Sequence, residues 1–70
     1  MSEPYKTFGL RLHDLRQALG LTQEEVGNRC NLTGAAISHF EADRRDPSLK
    51  NIRKICKGLG CNPNMLIDVY

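Results

Sequence analysis

Apolar residues recur along the first part of the chain at the spacing of a helix. The first stripe consists of Phe8, Leu12, Leu15 and Leu19. Their gaps of four, three and four residues place the side chains on one helical face. Gly20 then supplies the left-handed residue with which many helices end. The pattern predicts a first helix from about Tyr5 to Leu19.

A second, shorter helix is predicted from Gln23 to about Cys30. Thr22 precedes it as a cap, and Glu25 follows three residues later, which is the spacing of a capping box. Val26 and Cys30 are one turn apart and are expected to point inward.

A third helix is predicted over residues 34–41, with Thr33 as its cap. Its inward side carries Ile37 and Phe40, with Glu41 beside them. Only residues 31–33 separate it from the second helix, so the two helices must cross steeply, as in a helix-turn-helix unit. Asn31 suits the left-handed turn that this connection needs.

The remainder of the chain predicts a loop and two further helices. Residues 42–47 lack an apolar pattern and end in Pro47, which indicates a loop. Ser48 caps a fourth helix that ends at Gly60, with an apolar stripe of Leu49, Ile52, Ile55, Cys56 and Leu59. Asn62 followed by a proline predicts the start of a fifth helix.

The predicted fold is therefore all-α, a compact bundle of five helices. We expect a flexible arm at residues 1–4 and one domain over residues 5–70, because a chain of 70 residues is long enough for one domain only. Gly27 interrupts the second helix at a cost of about 1 kcal/mol. This cost predicts that the third helix packs closely against it.

The composition and charge of the chain exclude some classes of function but do not identify one. The net charge of +2 is too small to indicate nucleic-acid binding by itself. Six of the ten basic residues are nevertheless clustered, at Arg44, Arg45, Lys50, Arg53, Lys54 and Lys57. No apolar run approaches the roughly 20 residues of a membrane span, and no signal peptide is apparent. The expected location is the cytoplasm.

Cysteine and histidine usage argues against a metal site, a cofactor or catalysis. Three cysteines, an odd number without a C-x-x-C pair, are expected to be small core residues: Cys30, Cys56 and Cys61. They and the two histidines lack metal-ligand spacing. Ser38 and His39 are neighbours and point in different directions on a helix, so we expect no enzyme. His13 is expected to be exposed.

The motifs resemble the Cro/lambda-repressor-like (XRE-type) helix-turn-helix family of bacterial and phage regulators. The resemblance spans nearly the whole chain. It is carried by R-x-x-x-G-L-T-Q-E-E, the Leu-Thr turn, Ile37, Glu41, a loop ending in P-S-L, and Gly-Leu-Gly-Cys at the end of the fourth helix.

This resemblance implies roles for ten residues. The expected phosphate-binding residues are Thr22, Gln23, Arg44 and Arg45. The expected base-reading residues on the third helix are Gly34, Ala35, Ser38 and His39. An ion pair between Arg16 and Glu41 is expected to join the first helix to the end of the third. The cations of the fourth helix are expected to be ordinary surface, because that helix lies behind the third.

The chain departs from the family pattern at the turn and at the start of the third helix. Gly27 and Asn31 stand where the family has alanine and glycine, and both changes are expected to be sterically tolerable. Gly34 and Ala35 replace the long amides with which many members bind adenine. We therefore expect base recognition through few side chains, with part of the specificity coming from DNA shape.

The implied function is a sequence-specific repressor that binds a pseudo-palindromic operator as a homodimer, with its two third helices about 34 Å apart. Dimerisation is expected through the apolar end of the chain, at Met65, Leu66, Ile67, Val69 and Tyr70. Two alternatives remain open. One is an antitoxin or a restriction-modification controller protein with the same domain. The other is a protein-interaction module that has lost DNA recognition.

Overall fold

Four α-helices and one turn of 3₁₀ helix make up residues 6–66, which is the part of the chain that the computed structural model describes. The elements are α1 (Phe8–Leu19), α2 (Gln23–Arg29), α3 (Gly34–Glu41), α4 (Leu49–Leu59) and the 3₁₀ turn Pro63–Met65. The all-α prediction is confirmed. The predicted arm at residues 1–4 lies outside the described residues. The predicted helix start at about Tyr5 is wrong, because α1 begins at Phe8 after the Thr7 cap.

Each α-helix begins at a hydroxyl side chain that accepts a hydrogen bond from the first turn. Thr7 accepts from Leu10, Thr33 from Ala36 and Ser48 from Asn51. Thr22 and Glu25 form the reciprocal capping box that their spacing predicts. These caps satisfy backbone N–H groups that have no partner inside the helix. The predicted starts of α2, α3 and α4 are confirmed.

The predicted fifth helix is wrong within the described residues. The segment Pro63–Met65 is a single 3₁₀ turn, and Asn62 makes no side-chain cap. Its backbone bonds join Met65 to Asn62 and Leu66 to Pro63, each three residues apart. An α-helix would need bonds four residues apart. Residues 67–70 lie outside the described part.

The four α-helices and the residues that follow α2 and the 3₁₀ turn contribute to one apolar core. Its buried residues are Leu12, Val26, Cys30, Ile37, Phe40, Ile55 and Leu66. The rings of Phe8 and Phe40 meet edge to face with centroids 5.8 Å apart, a favourable aromatic geometry. Because Ile37 and Phe40 are both buried here, the opposite face of α3 is turned outward.

Two residues of the predicted stripes are exposed. Leu19 is 45% exposed and Leu49 is 63% exposed. They are the last residue of α1 and the first residue of α4. Leu21 and Leu32, which lie in connections, pack against the core instead.

The cysteines behave as the sequence predicts. Cys30 is buried, Cys56 and Cys61 are half-buried, and all three are free thiols. Burial, together with the neighbouring Cys56 thiol, raises the pKa of Cys61 to about 11. Burial also raises the pKa of Cys30. The thiols of Cys30 and Cys61 are therefore protonated at neutral pH and act as small apolar groups.

The crossing of α2 and α3 depends on a missing side chain. A Cβ atom on Gly27 would lie 2.8 Å from the carbonyl carbon of Thr33 and 2.9 Å from the nitrogen of Gly34. The predicted close packing is confirmed. Glycine in place of the family's alanine is thus well accommodated, whereas an alanine methyl group here would meet backbone atoms that cannot move away independently.

The turn between α2 and α3 is closed by the backbone itself. Asn31 adopts a left-handed conformation with φ of 57°, as predicted. The N–H of Leu32 then donates to the carbonyl of Gly27 at 2.8 Å. This closure reverses the chain within a few residues and holds α3 across α2.

Candidate nucleic-acid interface

The outer face of α3 is open and formed by small side chains. Ala35 and His39 are exposed and Ser38 is half-buried, whereas Ile37 and Phe40 face the core. Ala42 is exposed one turn after Ser38, and its N–H continues the helical bonding to the Ser38 carbonyl. The predicted base-reading residues with side chains thus share one accessible surface, to which Ala42 adds a methyl group that the sequence analysis missed.

Gly34 has a packing role that the sequence did not indicate. It is half-buried, and a Cβ atom there would lie 3.2 Å from the Cα atom of Glu24 in α2. A longer side chain would require α2 to shift by a few tenths of an ångström. The first residue of α3 is therefore small in part because the two helices are already in contact.

Glu41 is the centre of a polar cluster that joins three segments. Arg16 Nε donates to Glu41 Oε2 at 2.6 Å, and Arg16 Nη2 donates to Oε1 at 3.0 Å. Arg16 Nη1 also donates to the carbonyl of Leu21 at 3.0 Å. One guanidinium thus ties α1 to the end of α3 and to the segment that precedes α2.

The protonation of this pair follows from its surroundings. Burial alone would raise the pKa of Glu41, but hydrogen bonds from Arg16, Gln23 and His13 outweigh it and hold the pKa below its ordinary value. The hydrogen bond to Glu41 correspondingly raises the pKa of Arg16. Both groups are charged at neutral pH.

His13 belongs to this cluster, and the expectation that it is a simply exposed residue is wrong. Its Nδ1 atom lies 3.3 Å from Glu41 Oε1 and 3.3 Å from Arg16 Nη2. Its side chain is 43% exposed. Because His13 and Arg16 are three residues apart, they lie on the same face of α1. That relation was available from the sequence once the Arg16–Glu41 pair was expected.

Gln23 is attached to the same carboxylate. Its Nε2 atom donates to Glu41 Oε1 at 3.2 Å, and the residue is half-buried. Thr22 is also engaged, since its hydroxyl accepts from Glu25 N and its own N–H donates to the Glu25 carboxylate. Both predicted phosphate-binding residues are thereby held in fixed positions at the start of α2.

Arg44 and Arg45 lie exposed in the loop between α3 and α4. The N–H of Arg44 donates to the carbonyl of His39 at 3.0 Å. The loop therefore folds back on the last turn of α3, and it brings two cations next to the outer face of that helix.

Asp43 fixes the position of this loop, and the sequence analysis did not identify it. It accepts hydrogen bonds from the Thr7 hydroxyl at 2.6 Å and from the N–H of Gly9 at 3.0 Å. Gly9 permits this approach, because a Cβ atom there would lie 2.5 Å from the carbonyl oxygen of Phe40. A carboxylate at a helix N-terminus is also favoured by the helix dipole.

Residues 6–66 contain neither a metal-site cluster nor a membrane-spanning helix. No group of three or more histidine, cysteine or acidic side chains there could hold a metal ion. None of the helices in this range is long and apolar enough to cross a membrane.

The helix-turn-helix family model matches residues 12–66, which includes all four α-helices in whole or in part. The control protein C.BamHI of Bacillus amyloliquefaciens is 37% identical over 62 residues, an alignment that covers 87% of this chain and 76% of that protein. The chain belongs to the helix-turn-helix family. The predicted Cro/lambda-repressor type and the predicted class of function, a DNA-binding regulator of transcription, are both confirmed.

Solved structures agree with this assignment. The P22 c2 repressor, determined in complex with a synthetic operator, superposes with a TM-score of 0.83 at 26% identity, covering 91% of this chain and 97% of that one. The restriction-modification controller protein C.AhdI of Aeromonas hydrophila gives a TM-score of 0.82 at 37% identity, covering 86% and 91%. The chain spans 32 to 42% of the length of several longer regulators that it also matches.

Proposed function

We propose that the protein represses transcription by placing α3 in the major groove of an operator. The observation that carries this proposal is the accessible outer face of α3, which is held outward by the burial of Ile37 and Phe40. The P22 c2 repressor, of similar structure, was determined with operator DNA. A regulator that acts on DNA in this way would work in the cytoplasm of its host.

Phosphate contacts would set the position of α3 in the groove. Arg44 and Arg45 are exposed beside the last turn of α3 and can supply two positive charges. At the start of α2, Thr22 and Gln23 would bind a second phosphate. Since Gln23 already donates one hydrogen bond to Glu41, its remaining donors are the side-chain N–H and the backbone N–H.

Base contacts would come from few atoms. The Ala35 methyl group can touch a thymine methyl group, and His39 can hydrogen-bond to a base edge. Gly34 and Ser38 would let the helix approach closely. With so few donors, much of the discrimination would depend on the shape of the DNA.

A homodimer would place two α3 helices in successive major grooves of a pseudo-palindromic site. The expected contact surface needs correction, because Leu66 is fully buried in the core of its own chain and cannot contribute exposed surface. Met65 is half exposed and remains available. Ile67, Val69 and Tyr70 lie outside the described residues.

The test is selection of binding sites from a random duplex library, followed by titration at several salt concentrations. We expect one enriched sequence and an affinity that falls steeply with salt. Arg44→Ala should weaken binding to all sequences alike, whereas His39→Ala should change which sequence is enriched. Equal, weak binding to every duplex would reject the proposal in favour of a protein-interaction module.

A restriction-modification controller protein is the second candidate. It is favoured by the 37% identity to both C.BamHI and C.AhdI, whose names describe control proteins. The genes beside the coding sequence distinguish the possibilities. A restriction endonuclease and methyltransferase pair would indicate a controller, a toxin gene would indicate an antitoxin, and lysogeny genes would indicate a phage repressor.

A further inference from the structure

The outer side of α4 carries a groove that the proposed DNA contacts do not use. Two open depressions with volumes of about 560 and 370 Å³ adjoin one another, because both are lined by Lys54 and Lys57. We define the α4 groove by six of its lining residues: Arg29, Leu49, Lys50, Arg53, Lys54 and Lys57.

The α4 groove holds much of the positive charge of the protein. Among residues 6–66, it is lined by five of the ten basic residues of the chain and by no acidic one. The rest of the chain therefore has more acidic than basic residues. Within residues 6–66 the ion pairs join Lys6 to Asp14 and Glu41 to Arg16 and His13, so no side chain of the groove is neutralised in this way.

Glu25, the acidic residue one turn before Arg29, already has a hydrogen-bond partner. Glu25 accepts a hydrogen bond from the N–H of Thr22 as part of the capping box. It therefore stays at the start of α2 rather than covering the groove. The Glu25 carboxylate still interacts electrostatically with Arg29, whereas the four cations of α4 have no ion-pair partner among residues 6–66.

The groove also offers carbon surface. Leu49 is 63% exposed at one end, and the methylene stems of lysine and arginine side chains can cover apolar area while their charged ends stay in water. From Leu49 to Lys57 the groove runs for about 12 Å along α4. This length matches about two turns of a bound helix.

A nucleic acid fits this surface poorly. Among residues 6–66, no aromatic side chain on which a base could stack lines the groove. Moreover, α4 packs mainly on α2 rather than on α3, so it is not a close neighbour of the helix that is proposed to enter the major groove. A second copy of the chain fits no better, because two cationic grooves would repel each other.

We propose that the α4 groove binds an acidic, amphipathic peptide segment of another protein. An apolar side chain of that segment would pack on Leu49, and its carboxylates would pair with the five cations. Helices that present one apolar face to a groove are a recurrent mode of peptide recognition. The contact would leave α3 accessible, so the partner and the operator would bind together.

The experiment titrates a labelled synthetic peptide of about 15 residues, with leucines on one helical face and glutamates on both flanks, into the full chain. Binding is followed by fluorescence anisotropy and by backbone amide chemical shifts. The shifts should concentrate on residues 49–57 and on Arg29. A matched peptide with glutamine in place of glutamate should bind at least about tenfold more weakly.

Three variants locate the contact. Arg53→Glu should weaken peptide binding about tenfold, and Leu49→Ser should weaken it severalfold. Lys6→Glu, which makes the same charge change at the start of α1, should leave it within about twofold. All three positions are exposed, so thermal melts should confirm folding.

The outcomes also separate this proposal from operator binding. Equal losses of peptide affinity from Arg53→Glu and Lys6→Glu would show that binding depends only on net charge, which would overturn the proposal. So would chemical shifts at residues 49–57 caused by an arbitrary duplex and not by the peptide, since the groove would then be a nucleic-acid surface. Arg53→Glu should leave the sequence selected from a duplex library unchanged, whichever result the peptide gives.

Discussion

Side chains of α1 and α2 bind the Glu41 carboxylate at the end of α3. Loss of this carboxylate should destabilise the protein mainly because Arg16 would lose its partner. The side chains of Glu41 and Arg16 are only 7% and 12% exposed. Glu41→Gln would leave the guanidinium without its counter-charge. We expect the free energy of unfolding to fall by roughly 2–4 kcal/mol at pH 7, measured by urea denaturation. Asp14→Asn, which breaks the exposed pair with Lys6, should change it far less.

The same variant should alter the pH dependence of stability. The folded-state pKa of Glu41 is lowered, so its contribution is fully present above the unfolded value of about 4.3 and is lost as pH falls through the folded value. Wild type and Glu41→Gln should therefore converge in stability in acid. A constant difference between them from pH 7 to pH 3 would contradict this account.

Replacing Gly27 with alanine would have two opposing effects on stability. Alanine in a helix gains about 1 kcal/mol over glycine, but its Cβ would lie 2.8 Å from the backbone of Thr33. Overpacking of this kind costs about 1–3 kcal/mol, and the three nearest atoms that the Cβ would meet are all backbone atoms of residues 32–34. Gly27→Ala should destabilise the protein, whereas Asn28→Ala, exposed in the same helix, should not. A higher urea midpoint for Gly27→Ala would show that α3 can move away.

At the scale of elements, Asp43 determines how α1 meets the loop that carries the two arginines. Asp43→Gly would remove its bonds to Thr7 and Gly9 while relieving a backbone with φ of 57°. We expect hydrogen exchange at the Gly9 amide to become faster by an amount corresponding to about 1 kcal/mol. Exchange in α4 should be unaffected, and so should the fold. An unchanged rate at Gly9 would mean that Thr7 caps α1 sufficiently without Asp43.

The helices were predictable to the extent that their signals are local. Thr22, Thr33 and Ser48 cap the residues that immediately follow them, so neighbouring sequence contains the whole interaction. The contact between Gly9 and Asp43 spans 34 residues and has no local signature. For the same reason the packing of Gly34 on Glu24 was missed. The exposure of Leu49 was also missed, because periodicity does not show where a neighbouring helix ends.

At the scale of the whole molecule, the exposure of the outer face of α3 could be predicted from the sequence. The pattern places Ile37 and Phe40 together on the opposite face, and both are buried. The roles assigned to Thr22, Gln23, Arg44 and Arg45 came from resemblance alone. The structure adds that Gln23 is coupled to Arg16 through Glu41. The position of Gln23 in the candidate interface therefore depends on α1 as well as on α2 and α3.

Assembly can be tested through two adjacent residues with opposite surroundings. Leu66 is fully buried and Met65 is half exposed. Leu66→Ala should cost about 2–5 kcal/mol of stability at every protein concentration. Met65→Glu should leave the stability of the monomer nearly unchanged but lower the sedimentation coefficient at tens of micromolar, if Met65 lies at the interface of the proposed dimer. The urea midpoint of the wild type should then rise with protein concentration, and that of Met65→Glu should rise less. A wild type that sediments as a monomer at these concentrations, with and without operator, would reject the dimer, and each operator half-site would then have to bind one chain independently.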